Sequence, residues 1–205
     1  MASFDTVGDI IIFNKKISKK KAQELLRKIR HVKTVAYKSD IHQGKFRLKK
    51  VKVLAGEKRK ETIHKENNVL IKLDVEKCYF TPRLSEERKR INNLVKNNEE
   101  ILVMFSGVGP YVLSLAKNTK ARSITGIEIN PAAHIYALEN VKLNKLKNIK
   151  LYKGDVKKVL PRIKKKFDRI IMPLPKSSES FLDLALMKIK KNGIIHYYTF
   201  LKEDE

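Results

Sequence analysis

The feature that most constrains this chain is a change of texture after residue 100. Short apolar runs at 101–105, 123–129, 149–152, 168–174 and 193–200 alternate with helical patterns, notably at 131–143 and 178–189. Strands separated by helices of that length return to one sheet through right-handed βαβ crossovers. The pattern predicts an α/β, Rossmann-like fold: a mostly parallel, doubly wound sheet. The residues before it read differently. An apolar run at 9–13, a helix at 19–30 and strands at 32–37, 46–54 and 69–75 describe a small α+β module, with a turn at 55–60. Ser18 caps the helix, whose apolar stripe is Leu25, Leu26 and Ile29. A further helix opens at Thr81-Pro82, threonine as N-cap and proline in the first turn, and runs to about residue 95. The expected boundary falls between 81 and 82, giving domains 1–81 and 82–205.

Charge narrows the partners. Lys and Arg total 46 against 22 Asp and Glu, a net charge of +24, with the cations spread along the whole chain. A lysine-rich surface that merely solvates the protein would carry matching glutamates, and here acids are scarce, so nucleic acid is favoured over a solvated face or a membrane. The single cysteine, Cys78, excludes an intramolecular disulfide framework and a multi-cysteine zinc site, and nothing in the sequence requires a metal. No apolar stretch is long enough to span a bilayer and the first residues have no signal-peptide layout, so a soluble, cytoplasmic protein is expected.

The first strand of the later unit ends in Phe105-Ser106-Gly107-Val108-Gly109-Pro110. Two glycines at a strand-to-helix junction allow a sharp turn and close approach of a ligand to the backbone. A dinucleotide fingerprint needs a third glycine where this chain has Val112, which argues against a pyrophosphate. Glu128 ends the second strand, 19 residues beyond Gly109, where a carboxylate can accept from both ribose hydroxyls. Asp155 follows Gly154 at the end of the third strand and is suited to an adenine amino group. Ribose and adenine without phosphates describe S-adenosylmethionine. Taken singly, each acid is as well read as a loop or cap residue; together, at sheet-end spacing, they argue for the cofactor.

The segment DVEKCYFTPRLSEER at 74–88 resembles the signature of the archaeal and eukaryotic tRNA guanine-37 N1-methyltransferases. So do Leu54-Ala55-Gly56-Glu57, TIHKEN at 62–67, MFSGVGP at 104–110, Ile129-Asn130-Pro131, Leu174-Pro175-Lys176-Ser177 and GIIHYY at 193–198, in order, so that the likeness runs from about Phe4 to Tyr198. The resemblance implies a first domain that recognises RNA and positions the base, and a second that binds S-adenosylmethionine. It implies tRNA, at its anticodon stem-loop, as partner. Guanine N1 must lose its proton as it attacks the methyl group, and charge then develops on O6. The family's Glu-Arg pair falls on Glu87 and Arg88, with Glu87 as proton acceptor, and its O6-stabilising arginine on Arg47. Tyr79 matches a tyrosine that holds the cofactor or the target base. Without the resemblance, Glu87 reads as a helix-dipole acid four residues after Arg83, Arg47 as a phosphate contact, His64 as structural and Cys78 as a small buried hydrophobe.

The chain departs from the family pattern in three ways. Val103 stands where an aspartate usually precedes Met104-Phe105, and Pro173 where an asparagine precedes Leu-Pro, at the rim of the cofactor site. A proline there resembles the archaeal subgroup that also methylates C7 of 4-demethylwyosine. The family's N-terminal elbow-binding domain and its final antiparallel strand pair have no counterpart, so a protein partner covering the sheet edge, or a split product, is expected. The rival readings are the aminocarboxypropyl transferase that uses the same cofactor, a methyltransferase for another RNA or for a protein, and a tRNA-binding remnant without catalysis.

Overall fold

The computed structural model describes residues 3–39, 48, 50–173 and 178–199. In the first sheet, β1 (Phe4–Val7) and β2 (Ile10–Phe13) form an antiparallel hairpin, and helix α1 (Lys19–Lys28) crosses over to β3 (Thr34–Lys38), which lies parallel to β2. Strand β4 (Val51–Gly56) closes the order β1-β2-β3-β4. Ser18 caps α1 by accepting from the Lys21 N–H at 3.3 Å, as expected. Gly8 turns the hairpin at φ +57°, where a Cβ would lie 2.3 Å from the Thr62 hydroxyl, so both conformation and space demand glycine.

A second hairpin, β5 (Glu61–Glu66) and β6 (Val69–Asp74), turns through Asn67 and Asn68, both at positive φ. Val69, Ile71 and Leu73 alternate inward from β6 and share one core cluster with Val7, Ile10 and Ile12 on one side and Val108, Leu113 and Ala133 on the other. The hairpin therefore joins the first sheet to the later unit. Strands β1 and β5 have no counterpart in the sequence pattern: FDTV is too short and ETIHKE too polar to carry a readable apolar alternation.

The later unit has the predicted architecture. A 3-10 turn at Pro82–Leu84, capped by the Thr81 hydroxyl, leads into α2 (Ser85–Leu94). Strands β7 (Glu100–Met104), β8 (Ser123–Glu128), β9 (Ile149–Lys153), β10 (Phe167–Met172) and β11 (Ile189–Tyr197) pair in parallel in the order β11-β10-β7-β8-β9. Between them run α3 (Pro110–Asn118), α4 (Pro131–Leu143), α5 (Val156–Val159) and α6 (Leu182–Lys188). The last strand starts earlier than the apolar run at 193–200 predicts, at Ile189, because the helix before it stops at Lys188.

Two asparagines one turn apart, Asn140 on α4 and Asn144 at its C-cap, fasten β6 to this unit. Asn140, fully buried, accepts from the Lys72 N–H at 2.7 Å and donates to the Lys72 and Val108 carbonyls. Asn144 accepts from the Leu70 N–H at 2.8 Å and donates back to the Leu70 carbonyl at 2.7 Å. Each side-chain amide thus satisfies a backbone pair on a strand edge that would otherwise be open. Val103 lies in the middle of β7, fully buried among Ile91, Ile101, Ile124 and Ile171, an environment with no partner for a carboxylate. Among the described residues no helix is long and apolar enough to cross a membrane.

Candidate active site

The sheet order sets where a ligand can sit. Strand β7 leads outward to β8 and β9 on one side, while β10 and β11 lie on the other, so the chain reverses direction between β7 and β10. Crevices at the carboxyl ends of strands beside such a reversal are the usual binding sites of open α/β sheets. Across that edge, in strand order, stand Pro173 after β10, Phe105 after β7, Glu128 at the end of β8 and Asp155 beyond β9. Four residues from separate stretches of sequence therefore share one rim.

The loop after β7 is built for close approach. Phe105 adopts φ 58°, a left-handed conformation uncommon outside glycine, and its ring meets Phe181 edge-on at 4.8 Å. Gly107 and Gly109 follow at φ 57° and 91°, and Pro110 opens α3. Glu128, 8% exposed, accepts from the Gly107 N–H at 2.6 Å and the Asn130 N–H at 2.7 Å. Burial raises its pKa above the ordinary carboxylate value; the backbone donors only partly offset this. Beside it the Ser106 hydroxyl is buried without a partner. A desolvated carboxylate with spare lone pairs fits a ligand that brings neutral O–H donors, as a ribose diol does. Asp155 caps α5 by accepting from the Lys157 N–H at 2.9 Å, so it serves as the cap the sequence allowed while remaining on the rim.

Above the loop passes the segment carrying Tyr79. The Asn130 amide donates to the Lys77 carbonyl at 2.9 Å, Cys78 is buried, and the Tyr79 carbonyl lies over Gly107. Burial pushes the Cys78 thiol up to about 12, in keeping with a packing role. The Tyr79 side chain is 46% exposed and borders a cavity of about 270 Å³ between the first sheet and this segment. Val7, Val51, Leu73 and Phe80 line its apolar wall and Asp5, Lys38 and Arg83 its polar rim. Arg83 donates to Asp5 at 2.6 Å and does not pair with Glu87, contrary to the spacing argument.

Glu87 lies in the first turn of α2. Arg90 grips it with two bonds, Nε to Oε2 at 2.6 Å and Nη2 to Oε1 at 2.8 Å, and the Tyr198 hydroxyl donates to Oε1 at 2.6 Å. The Arg90 bonds above all, then Tyr198, hold the carboxyl below its ordinary pKa against the opposing effect of burial. Tyr111 donates in turn to the Tyr198 oxygen at 3.2 Å. Arg88 turns inward toward β5. It is 2% exposed, bonded to Glu66 at 2.5 and 2.6 Å and to the Thr81 carbonyl at 3.1 Å, and its guanidinium lies near the Phe80 and Tyr111 rings. His64, which accepts from the Gly8 N–H at 3.1 Å and faces Glu66 at 3.5 Å, belongs to the same buried group. Arg88 is thus sealed inside the protein, where it can fix α2 and the Thr81 turn but cannot touch a substrate.

A model of the TRM5/TYW2 methyltransferase domain matches residues 62–205, and one of the TYW2 N-terminal domain matches residues 1–59. The chain belongs to the TRM5/TYW2 methyltransferase family. The tRNA (guanine(37)-N(1))-methyltransferase Trm5b of Pyrococcus abyssi is 40% identical over 99% of this chain and 61% of its own length. Its crystal structure superposes with a TM-score of 0.88 over 98% of this chain. The bifunctional tRNA (guanine(37)-N(1))/4-demethylwyosine(37)-methyltransferase Taw22 of Nanoarchaeum equitans is 35% identical over 99% of this chain and 85% of its own. TYW2 of M. jannaschii, solved in complex with AdoMet, superposes at 0.72 with 32% identity, covering 95% of this chain and 75% of that one. The chain spans about 61% of the length of the Pyrococcus relative.

The segment from Tyr79 to Arg88 runs from the rim, where the Tyr79 carbonyl lies over Gly107, to Glu87 on α2. Arg47 lies outside the described residues, as do Leu174 to Ser177; Leu48, next to Arg47, lines the cavity. Sequence reasoning missed Arg90, Tyr198, Tyr111 and Glu66. Tyr198 and Glu66 lie inside matched blocks, so the signal was present, whereas Arg90 and Tyr111 carry no mark in a chain with so many cations and a tyrosine beside a helix start.

Proposed function

We propose that this chain catalyses transfer of a methyl group from S-adenosylmethionine to N1 of guanine-37 in tRNA. The observation that carries the reading is the rim itself: a buried carboxylate held by backbone amides beside a positive-φ glycine loop, with Tyr79 over it and Glu87 along the same segment. When bound, S-adenosylmethionine supplies an electrophilic methyl group on a sulfonium whose leaving form is a neutral thioether. Glu128 would hold the ribose hydroxyls, Asp155 the adenine amino group, and the loop at Phe105, Gly107 and Gly109 the close backbone contact. The exposed Tyr79 ring offers a stacking face to a base turned out of the anticodon loop, and the adjoining cavity has room for one. Glu87 accepts the N1 proton as the new N–C bond forms. Arg47 donates to O6 as charge builds there, and Arg88 holds the helix that aims Glu87. A general base contributes about 10²–10⁴ in rate, and an oxyanion donor a similar factor. A relative solved as the complex of aTrm5 and tRNALeu, TM-score 0.84 over 96% of this chain, supports tRNA as the partner.

The test is methyl transfer from labelled cofactor to tRNA transcripts carrying guanine or adenine at position 37, followed by nucleoside analysis. Label in 1-methylguanosine, only with guanine there, supports the reading. Saturable cofactor binding with no label in any product would overturn it in favour of a binding protein. A second reading, aminocarboxypropyl transfer, draws on the N-terminal match and on a 36% identical M. jannaschii tRNA(Phe) aminocarboxypropyltransferase. The same assay separates it, because label in the cofactor's methyl group then stays on the small-molecule product.

Pro173 bears on the range of bases. Proline offers neither a side-chain amide nor an N–H at the rim, which leaves more room for a tricyclic base. Pro173→Asn is expected to shift the ratio of guanine to 4-demethylwyosine methylation toward guanine; an unchanged ratio removes Pro173 from the specificity argument.

A further inference from the structure

The Glu87 carboxylate is over-occupied for a proton acceptor. Arg90 takes two of its roughly four acceptor positions and Tyr198 a third. A carboxylate paired with a guanidinium is stabilised in its charged form and is a poorer base for it. The two donors differ in what holds them. Tyr198 is backed by Tyr111, and its carbonyl accepts from the Ser178 hydroxyl at 2.9 Å. Arg90 is 56% exposed, and among the described residues its only ion pair is the one to Glu87. One donor is built in and the other can leave. On the β11 side the neighbouring His196 contacts Arg169, which is itself bound to Glu99; burial and Arg169 push His196 down to about 4, so near neutrality it adds no cation to the cluster.

We propose that Arg90 is a latch on Glu87 that the phosphate backbone of the bound RNA releases. This rests on the reading of Glu87 as the proton acceptor. A guanidinium binds a phosphate through the same two-pronged geometry it uses on a carboxylate, so a phosphate delivered to the outer face of α2 can take Arg90 over. Tyr198 then keeps Glu87 aimed while the charge that stabilised its ionised form departs. The base is quiet in the free enzyme and becomes competent only with RNA in place. Arg90 is accordingly a positioning residue, acting through Glu87.

The test follows the Glu87 side-chain carboxyl carbon by NMR as pH is varied, assigned by its loss in Glu87→Gln. Spectra are taken with and without a tRNA transcript carrying adenine at position 37, which supplies phosphates but no reactive N1–H. In the wild-type protein the RNA should raise the proton affinity of Glu87 about tenfold, one pH unit in the midpoint. In Arg90→Gln the midpoint should already be raised without RNA and move little on adding it, while Arg90→Lys, which cannot form the fork, should fall between. A wild-type midpoint that RNA leaves unchanged overturns the latch, as does an Arg90→Gln midpoint equal to that of the wild type. Methyl transfer by Glu87→Gln tells the two failures apart: retained transfer removes the base assignment, and abolished transfer with an unmoved midpoint removes only the latch.

Discussion

Glu128 illustrates how a single residue can tie a fold to the ligand proposed for it. Its raised pKa means that the folded, ligand-free protein binds this proton more tightly than the unfolded chain does, so its contribution to stability is present at low pH and is lost as pH rises through the folded-state value. A ligand donating two hydroxyls to the ionised form works in the opposite sense. Affinity for S-adenosylmethionine should therefore rise as pH increases from the acid side through that range, and the ligand-induced rise in Tm should grow with it. Glu128→Gln should weaken binding about 10–100-fold by calorimetry, since it loses a charged acceptor and turns an amide N–H₂ toward one of two backbone donors. At Glu66, burial opposes ionisation but the His64 and Arg88 bonds prevail and lower the pKa, so its stabilisation is present at neutral pH and lost on acidification. Glu66→Ala strands Arg88 in the core and should cost about 3–5 kcal/mol in denaturant unfolding. These roles are only partly legible in the sequence. Spacing and residue type point to Glu128 because a carboxylate at a strand end is chemically marked. The Glu-Arg signature points to catalysis for Arg88 as well, yet adjacency does not say which of two consecutive helical side chains is buried, and here Arg88 turns into the core while Glu87 does not.

At the scale of elements, helix α4 is legible to the residue because Asn130 and Pro131 mark its start and its length fills the crossover. Strand β5 is not, since its partner is another hairpin strand and its inward positions, Thr62 and Glu66, are polar. What buries them is tertiary: a carboxylate met by Arg88 and a hydroxyl that bonds Asp9 at 2.6 Å. Helix α1 offers the clearest unassigned electrostatic surface. Lys19, Lys20, Lys21, Arg27 and Lys28 ride on it around a stripe in which Ala22 is buried, with Glu24 as its one acid. If this face lies along RNA phosphates, replacing Lys20, Lys21 and Arg27 by glutamine should weaken tRNA binding. The log–log salt slope should become shallower by about 0.7 for each phosphate left unneutralised. Cofactor affinity should not change. An unaltered slope would assign α1 to solvent.

For the molecule as a whole, the expected division at residue 81 does not correspond to a gap in packing. One apolar cluster runs from Val7 and Ile12 through Ile71 and Leu73 to Val108 and Ala133, with Asn140 and Asn144 bolting β6 to α4. The two parts should unfold together, in one calorimetric transition whose van't Hoff and calorimetric enthalpies agree; two resolved transitions would show that the joint is weaker than its packing implies. The parallel sheet is foreseeable from alternation alone, whereas this shared core is not, because apolar residues in a sequence do not name their partners.

The hydrogen bond from Tyr198 to Glu87 spans 111 residues and joins the chain just beyond the last strand to the helix that precedes the first strand of the sheet. A ribosome makes these ends in order. Helix α2 and the glycine loop have left the exit tunnel long before β11 exists. A nascent chain can then hold Glu87 through Arg90, its neighbour on α2, while the Tyr198 contact is still missing. On the reading of Glu87 as the proton acceptor, the Tyr198 contact that helps aim it is available only once the last strand has been made.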